Sequence, residues 1–387
     1  MARDLQRVRH IHNGQGRVMP VHQLHDQHTG RRIFNHDILS CTHEDVAGNH
    51  LYSGRALGMT QPDDFIQIHP FLKREWPAIV SHYERIGLPH SQHVIWDVSP
   101  AQLKEYPDLE ESLFFFGPAE NRARTHLAWE RVVTHVNDKN NFVALATHLR
   151  LDIPQTRCFH GKQWFAGIEY FPYPCYLKPA VSVAGKGIHR CANQSELIQA
   201  LAYFDEDVPL QVQEEIDTNI FLNLQYEASE QAVGRLLATE QVLKGFTHQG
   251  NRHPAKYAPW DAVEPMAIWM WKKGMRGIFA FDVAVVENSG GPRFVAIECN
   301  PRYNGASYPS AIARRLLISQ WIAKDFVCHY DRLADIDLSG IEYNPTTGSG
   351  VILVNWGTVL VGKLGVLIAG TSAQQNELER ELLTRLL

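Results

Sequence analysis

The stretch "FVAIECNPRYNG", Phe294 to Gly305, carries the strongest signal in the chain. It opens as an apolar strand and then sets Glu298, Asn300 and Arg302 at every second position. Strand side chains alternate between faces. One face near the strand's end therefore presents a carboxylate, an amide and a guanidinium in a row. A salt-bridged surface ladder explains this poorly, because the flanking "FVAI" reads as buried and a buried charge needs a partner.

Upstream, "GIFAFDVAVVENSGG" reads as a second strand ending in a Gly-rich turn, and it carries Asp282. Paired as a hairpin, the two strands bring Asp282, Glu298 and Asn300 together. Mg²⁺ prefers oxygen ligands and is usually held by one or two carboxylates plus substrate phosphates. Arg302, two residues further along the same face, suits phosphate oxygens through its planar fork.

Three earlier segments fit the same chemistry. "PCYLKPAVSVAGKGIHRC", Pro174 to Cys191, reads as a strand with Lys178, a loop with Ser182, Gly185 and Gly187, and a second strand. Glycines in such a loop let backbone N–H groups approach an anion, and a lysine on the feeding strand can reach it. Taken alone, the segment reads equally as an ordinary hairpin with a surface lysine. "PLQVQEEIDTNIFLNLQYEA", Pro209 to Ala228, reads as strand, acidic linker, strand. Its linker could meet a nucleotide base or be a solvated turn. "ENRARTHLAWERVVTHVNDKNNFVALATHLRLDIPQT" is helical in pattern, with Lys139 in "NDK", and stops at Pro154.

In order, "NDK", "YLKPAVSVAGKGI", "VQEEI", "FDVAVV" and "IECNPRYNG" resemble the pattern of the ATP-grasp ligases over roughly residues 110–330. The resemblance implies an α/β and α+β chain, with a Rossmann-like pre-grasp domain followed by a two-lobed ATP-grasp fold. The expected divisions are 1–110 for the pre-grasp domain, 111–335 for the grasp and 336–387 for a C-terminal closing subdomain. Within the grasp, an ATP lid lobe covers about 155–215 and a metal-binding lobe about 216–335. It implies ATP with Mg²⁺ or Mn²⁺, and ADP-forming ligation of a carboxylate, such as an amino acid or small acid, to an amine through an acyl phosphate.

Residue by residue, the resemblance gives Lys139 and Lys178 to the nucleotide, and Ser182, Gly185 and Gly187 to the loop over the phosphates. Glu214, Glu215 and Ile216 become the adenine hinge. Asp282, Glu298 and Asn300 become the metal ligands, and Arg302 stabilises the transferred phosphoryl group. Many members place a glutamate soon after the hinge for the ribose; here "DTNIFLN" offers Asp217 or Asn219 instead. The basic stretch "EQVLKGFTHQGNRHPAKY" supplies Lys244, His248 and Arg252 as candidates for a substrate carboxylate, and Arg276 in "KKGMRG" is a further cationic candidate for the catalytic set. An ATP-grasp phosphotransferase without ligation, or a nucleotide-binding protein without turnover, is the competing reading.

The remaining sequence sets bounds. The 387 residues allow two or three domains, and a net charge of -5 argues against nucleic acid as a partner. Six cysteines without a CxxC pair fit a reducing cytoplasm better than a disulfide framework. Small-molecule carboxylate and amine substrates are the expected partners, and a homodimer is an open assembly. "DDFIQIHP", "FLKREWPAIVSHYERIGL" and "HVIWDV" read as strand, helix, strand, hence a parallel βαβ unit. Twelve of the 20 histidines lie in residues 1–93, but none has a cysteine or carboxylate partner at metal-site spacing. The apolar "GVILVNWGTVLVGKLGVLIAGT" is broken by Asn355, Lys363 and internal glycines, so it reads as two strands and a turn rather than a membrane span. The C-terminal remainder reads as a final helix.

Overall fold

The structure is a computed structural model that describes residues 18–19, 30–39, 41–42, 48–165, 168, 171–182, 187–244 and 247–387. A two-residue strand, β1 (Val18–Met19), runs parallel to Val233 and Gly234. The next four strands are β2 (Arg32–Asn35), β3 (Phe65–Gln67), β4 (His93–Ile95) and β5 (Glu110–Leu113). They form one parallel sheet in the order β4-β3-β2-β5. Counted from β2, that is the 3-2-1-4 order of a Rossmann half. The helix between β3 and β4 is Trp76–Arg85, shorter than the sequence pattern suggests. Pro77 lies in its first turn, where a missing N–H costs nothing, and the preceding Pro70–Glu75 winds as a 3₁₀ turn.

The long helical pattern that follows is three helices, Pro118–Ala123, Leu127–Asn137 and Lys139–His148. The break inside "NDK" has a local cause. Asp138 is extended, ends one helix and caps the next by accepting from the backbone N–H groups of Asn140 and Asn141. Lys139 is thereby fixed at the first turn of a helix.

A small sheet comes next: β6 (Thr156–Phe159), β7 (Cys175–Pro179), β8 (His189–Cys191) and β9 (Leu210–Glu214), in the order β6-β9-β7-β8. All three pairings are antiparallel. The sheet packs on helix Gln194–Leu201 around its own core, which includes Leu177, Leu197, Leu210 and Val212.

The large sheet collects β10 (Phe221–Ala228), β11 (Val233–Lys244), β12 (Thr247–His253), β13 (Gly277–Asn288), β14 (Gly291–Asn300), β15 (Trp321–Val327), β16 (Gly350–Asn355) and β17 (Lys363–Ala369). Their order is β14-β13-β10-β11-β12-β15-β17-β16. The stretch expected as a closing subdomain thus extends this sheet by β16 and β17 and ends in helix Ser372–Leu386. Its apolar face shares one core with the first unit, where Ile66, Leu72 and Tyr83 meet Trp356, Val351 and Ile368. The join between β12 and β15 depends on Gly250. It pairs with Lys324 at φ +155°, and a Cβ there would run into the backbone carbonyl of Ala323.

Candidate active site

The site is built on five neighbouring strands. Cross-strand pairing sets Glu298 opposite Asp282, Asp282 opposite Asn223, and Asn223 opposite Thr239, while Gln241 faces Asn251. A polar row therefore crosses the sheet where the flanking positions are apolar and buried. An irregularity in the β13–β14 register leaves Ile297 unpaired between Ala296 and Glu298, so that Glu298 lands directly against Asp282.

Asp282 is the hub. Its carboxylate accepts from Asn223 Nδ2 at 2.8 Å, Gln241 Nε2 at 2.9 Å and Asn300 Nδ2 at 3.0 Å. Arg302 Nη1 in turn donates to Asn300 Oδ1 at 3.0 Å. Burial, then repulsion from Glu298, pushes the Asp282 carboxyl up to about 7, against its hydrogen bonds from Asn223 and Asn300. Burial also opposes the charge on Glu298, but Lys139, Lys178 and Arg302 outweigh it and hold that carboxyl below its usual value. The Glu298 side chain is 32% exposed and opens into a cleft.

That cleft is a cavity of about 810 Å³ between the small and large sheets, lined by Lys139, Ser182, Glu298, Asn300 and Arg302 among others. Lys139 Nζ donates to Ser182 Oγ at 3.1 Å and lies 3.7 Å from Glu298. Lys178 is buried beside it rather than lining the cleft, and donates to Gln213 Oε1 at 2.7 Å. Burial drives the Lys178 ammonium down to about 8; nearby Glu298 works the other way and Lys139 adds to the fall. A second cavity, of about 750 Å³, shares Gln241 with the first and is lined by Glu215, Ile216, Asn219 and Arg252. Together they run from the linker after β9 to the end of β14.

The first unit positions the arginine. Directly after it, buried Tyr303 meets the Ser112 hydroxyl at 3.0 Å, and its N–H donates to the Phe114 carbonyl. Asn304 ties the same turn to Asn223 at 3.3 Å.

The structure thus brings together Lys139, Ser182, Asp282, Glu298, Asn300 and Arg302, with Lys178 behind them and Glu215, Ile216 and Asn219 on the linker side. His248 lines the cleft, bonded to Asn251 at 3.0 Å, and Arg252 sits on the linker side 3.9 Å from Glu240. Three expected residues are placed differently. Glu214 directs its carboxylate to the backbone N–H of Gln155 at 2.8 Å, because the strand β6 starts there. Arg276 directly precedes β13 and lines a separate cavity with Arg32 and Glu111. Gly187, at φ +73°, packs near Pro179 rather than on the cleft. Gly185 and the side chain of Lys244 lie outside the described residues. Asn223, Gln241 and Asn304 were absent from the sequence reading. The polar alternation Asn223, Gln225, Glu227 within an otherwise apolar strand was the available signal.

Among the described residues, no group of three or more His, Cys, Asp or Glu side chains is arranged to hold a metal. The oxygen set here is two carboxylates and an amide. No helix of the described residues is long and apolar enough to cross a membrane.

No family model matches the chain, and no curated protein does either. Solved structures do. N5-carboxyaminoimidazole ribonucleotide synthetase in complex with ADP superposes with a TM-score of 0.58 at 10% identity, over 95% of this chain and 98% of that one. The N5-carboxyaminoimidazole ribonucleotide synthetase of Thermus thermophilus gives 0.50 at 12% identity, over 87% and 95%. The likeness is one of fold, and the fold is ATP-grasp: a parallel sheet followed by two antiparallel lobes facing one cleft.

Proposed function

We propose that this chain is an ATP-dependent, ADP-forming ligase that joins a carboxylate to an amine through an acyl phosphate. One observation carries the reading: Lys139, Glu298, Asn300 and Arg302 line a single cavity between two antiparallel lobes, with Asp282 and Lys178 behind them.

In the first step a carboxylate oxygen of the substrate attacks the γ-phosphorus of ATP. The bond from that phosphorus to the β–γ bridging oxygen breaks, and ADP leaves with the electron pair. In the second, the amine nitrogen attacks the acyl carbon. The carbon–oxygen bond to phosphate breaks, inorganic phosphate departs, and the nitrogen gives up a proton. Charge spreads over the phosphoryl oxygens during transfer, and fixed cations there form the largest catalytic contribution in such sites. Arg302 is held for this by Asn300 on one side and the anchored Tyr303 on the other. Lys178 faces the same charge from the small sheet, and Lys139 from the first turn of its helix. To reach a phosphate, Lys178 exchanges its bond to Gln213 for one to the nucleotide.

Asp282, Glu298 and Asn300 fit a hard divalent cation, since two carboxylates crowd together and the repulsion between them raises Asp282. Mg²⁺ or Mn²⁺ bound there would supply charge neutralisation between the β- and γ-phosphates. The linker residues Glu215 to Asn219, in the adjoining cavity, are where the base and ribose would lie.

The test is ADP release measured against a panel of amino acids and small acids, singly and in pairs. Release that requires two substrates, with an amide product, is the expected result. A phosphorylated single substrate would instead mean a phosphotransferase. Nucleotide binding with no turnover on any pair counts against both.

A further inference from the structure

The turn that follows Arg302 is pinned at two tyrosines rather than one. Tyr303 meets the Ser112 hydroxyl at 3.0 Å, and Tyr308, in the first turn of helix Ser307–Arg315, meets His36 Nδ1 at 2.9 Å. His36 directly follows β2, and its Nε2 meets the same Ser112 hydroxyl, in β5, at 3.1 Å. Tyr308, His36, Ser112 and Tyr303 thus form one chain of side-chain hydrogen bonds, and all four are buried. The imidazole also lies edge-on to both phenol rings, with centroids 4.4 Å from Tyr303 and 5.6 Å from Tyr308.

Burial, with Arg55 and Arg32 adding to it, holds the His36 imidazole well below its ordinary pKa, so the ring is neutral. A neutral imidazole carries one donor and one acceptor. It uses one on each neighbour, and the chain of bonds runs in a single direction from one tyrosine to the other. Apolar side chains could fill the same space with no polar atom to satisfy, so a buried polar chain is a costly way to pack it. What such a chain adds is fixed geometry. Between the two tyrosines lie Asn304, Gly305 and Ala306, which line the reaction cleft, and Arg302 comes immediately before them. His36 and Ser112 do not line it.

We infer that His36 is a positioning residue: bonded directly to Tyr308 and through Ser112 to Tyr303, it clips the two ends of this turn to the first unit and so holds Arg302 at the cleft. This role rests on the ligase reading, in which Arg302 meets the transferring phosphoryl group. Groups that act on a transition state must be held within about 0.5 Å of their working place, and a misplacement of about 1 Å costs on the order of a hundredfold in rate.

Three variants of the full chain test it. His36→Phe keeps a ring and removes both nitrogen contacts, Ser112→Ala cuts the link to Tyr303 alone, and His36→Gln keeps one donor and one acceptor. Hydrogen exchange reads the turn with no substrate present. The Tyr303 amide donates to the Phe114 carbonyl, and it should exchange about tenfold faster or more in His36→Phe and Ser112→Ala, while β13 and β14 keep their protection. In ADP release with a productive substrate pair, kcat should fall about ten- to a hundredfold in both, with KM for ATP within about twofold of wild type. His36→Gln should recover part of the loss, and on an Arg302→Ala background His36→Phe should lower turnover no further. A Tyr303 amide unchanged in both variants overturns the inference. A loss of turnover that persists in full on the Arg302→Ala background overturns it too, because it marks a contribution to folding alone. Ser112→Ala removes one hydroxyl, so a misfolded His36→Phe does not blunt the test. A wild-type chain that turns over no pair, with a Tyr303 amide that responds to the variants, sinks the ligase reading and leaves the hold on the turn standing. Wild-type turnover that neither variant lowers sinks the positioning role alone.

Discussion

The two halves of the cleft are held in different ways. On the large sheet, Asp282, Asn300 and Arg302 belong to a continuous chain of side-chain hydrogen bonds that also takes in Asn223, Gln241 and Asn304. Every strand beneath them is paired on both sides, or to a long hairpin partner, over a large core. On the small-sheet side, the facing groups are Ser182, which accepts from Lys139 on a neighbouring helix, and Lys178, bonded to Gln213. The sheet beneath them has its own separate core. On the proposed function, a site that holds phosphoryl charge in fixed geometry and still admits a nucleotide needs one half preorganised and one half able to give way. The hydrogen-bond network assigns the first role to the large sheet, and the separate core suits the small sheet to the second.

That contrast can be broken most sharply at Arg302. Arg302→Ala should cut turnover by roughly two to four orders of magnitude, as when a transition-state donor is lost, while nucleotide affinity stays near wild type. Steady-state kinetics and calorimetry on the same preparation check it. Equal losses of binding and rate would mean that the large-sheet half also sets nucleotide affinity.

Next in size is the independence of the small core. Leu177 is fully buried in β7, and Leu177→Ala should cost about 2–5 kcal/mol. If the small sheet opens on its own, amide exchange in β7 and β9 should speed up while β13 and β14 keep their protection. Uniform acceleration across both sheets would show one cooperative unit.

Lys178→Ala should weaken nucleotide binding by an amount worth about 1.5–3 kcal/mol, without unfolding the chain. In the free protein the ammonium titrates near 8 because burial disfavours its charge. Nucleotide affinity should therefore decline as pH rises through that value, and Lys178→Ala should flatten the profile between pH 7 and 9. An unchanged slope in the variant would remove Lys178 from the phosphate side.

The smallest effect lies far from the cleft, where helix Trp76–Arg85 meets β16. Burial works against the charge of Glu342, but hydrogen bonds from His82 at 2.7 Å and from Arg85 at 2.7 Å and 2.8 Å bring its carboxyl down to about 2. A carboxyl lower in the folded than in the unfolded chain stabilises above the unfolded value, and the gain disappears as pH falls through the folded one. This contribution should be complete above pH 4.5 and lost on the way down to about 2. Glu342→Gln should remove that slope from the melting temperature, a change of about 1 kcal/mol or less for a partly exposed pair.

The β13–β14 hairpin was legible locally, because alternation at Glu298, Asn300 and Arg302 is a property of neighbouring residues, whereas the two-lobed fold came from the resemblance of the ordered motifs. What stayed hidden depends on pairings across the chain. Asn223 reaches Asp282 from a strand 59 residues away, and the register irregularity at Ile297 appears only once β13 is laid against it. For Glu214, expected from the resemblance, and Arg276, expected from its charge, the side chains point elsewhere than the cleft. The Glu214 carboxylate is engaged by Gln155, and Arg276 lines a separate cavity.

Gly250 has a bearing on how the chain can vary. Its backbone lies so close to Ala323 that any side chain would push β12 off β15. In the sheet order, that pair of strands joins the strands of the cleft to the C-terminal trio, and the trio shares its core with the first unit. In a saturation scan, position 250 should therefore behave unlike the rest of its loop-flanked strand, accepting no replacement, alanine included. Exposed neighbours such as Gln249 should tolerate many. The floor of the cleft and the unit that anchors Tyr303 would drift apart together, so a single methyl group placed outside the reaction cleft would be read out as a lost activity.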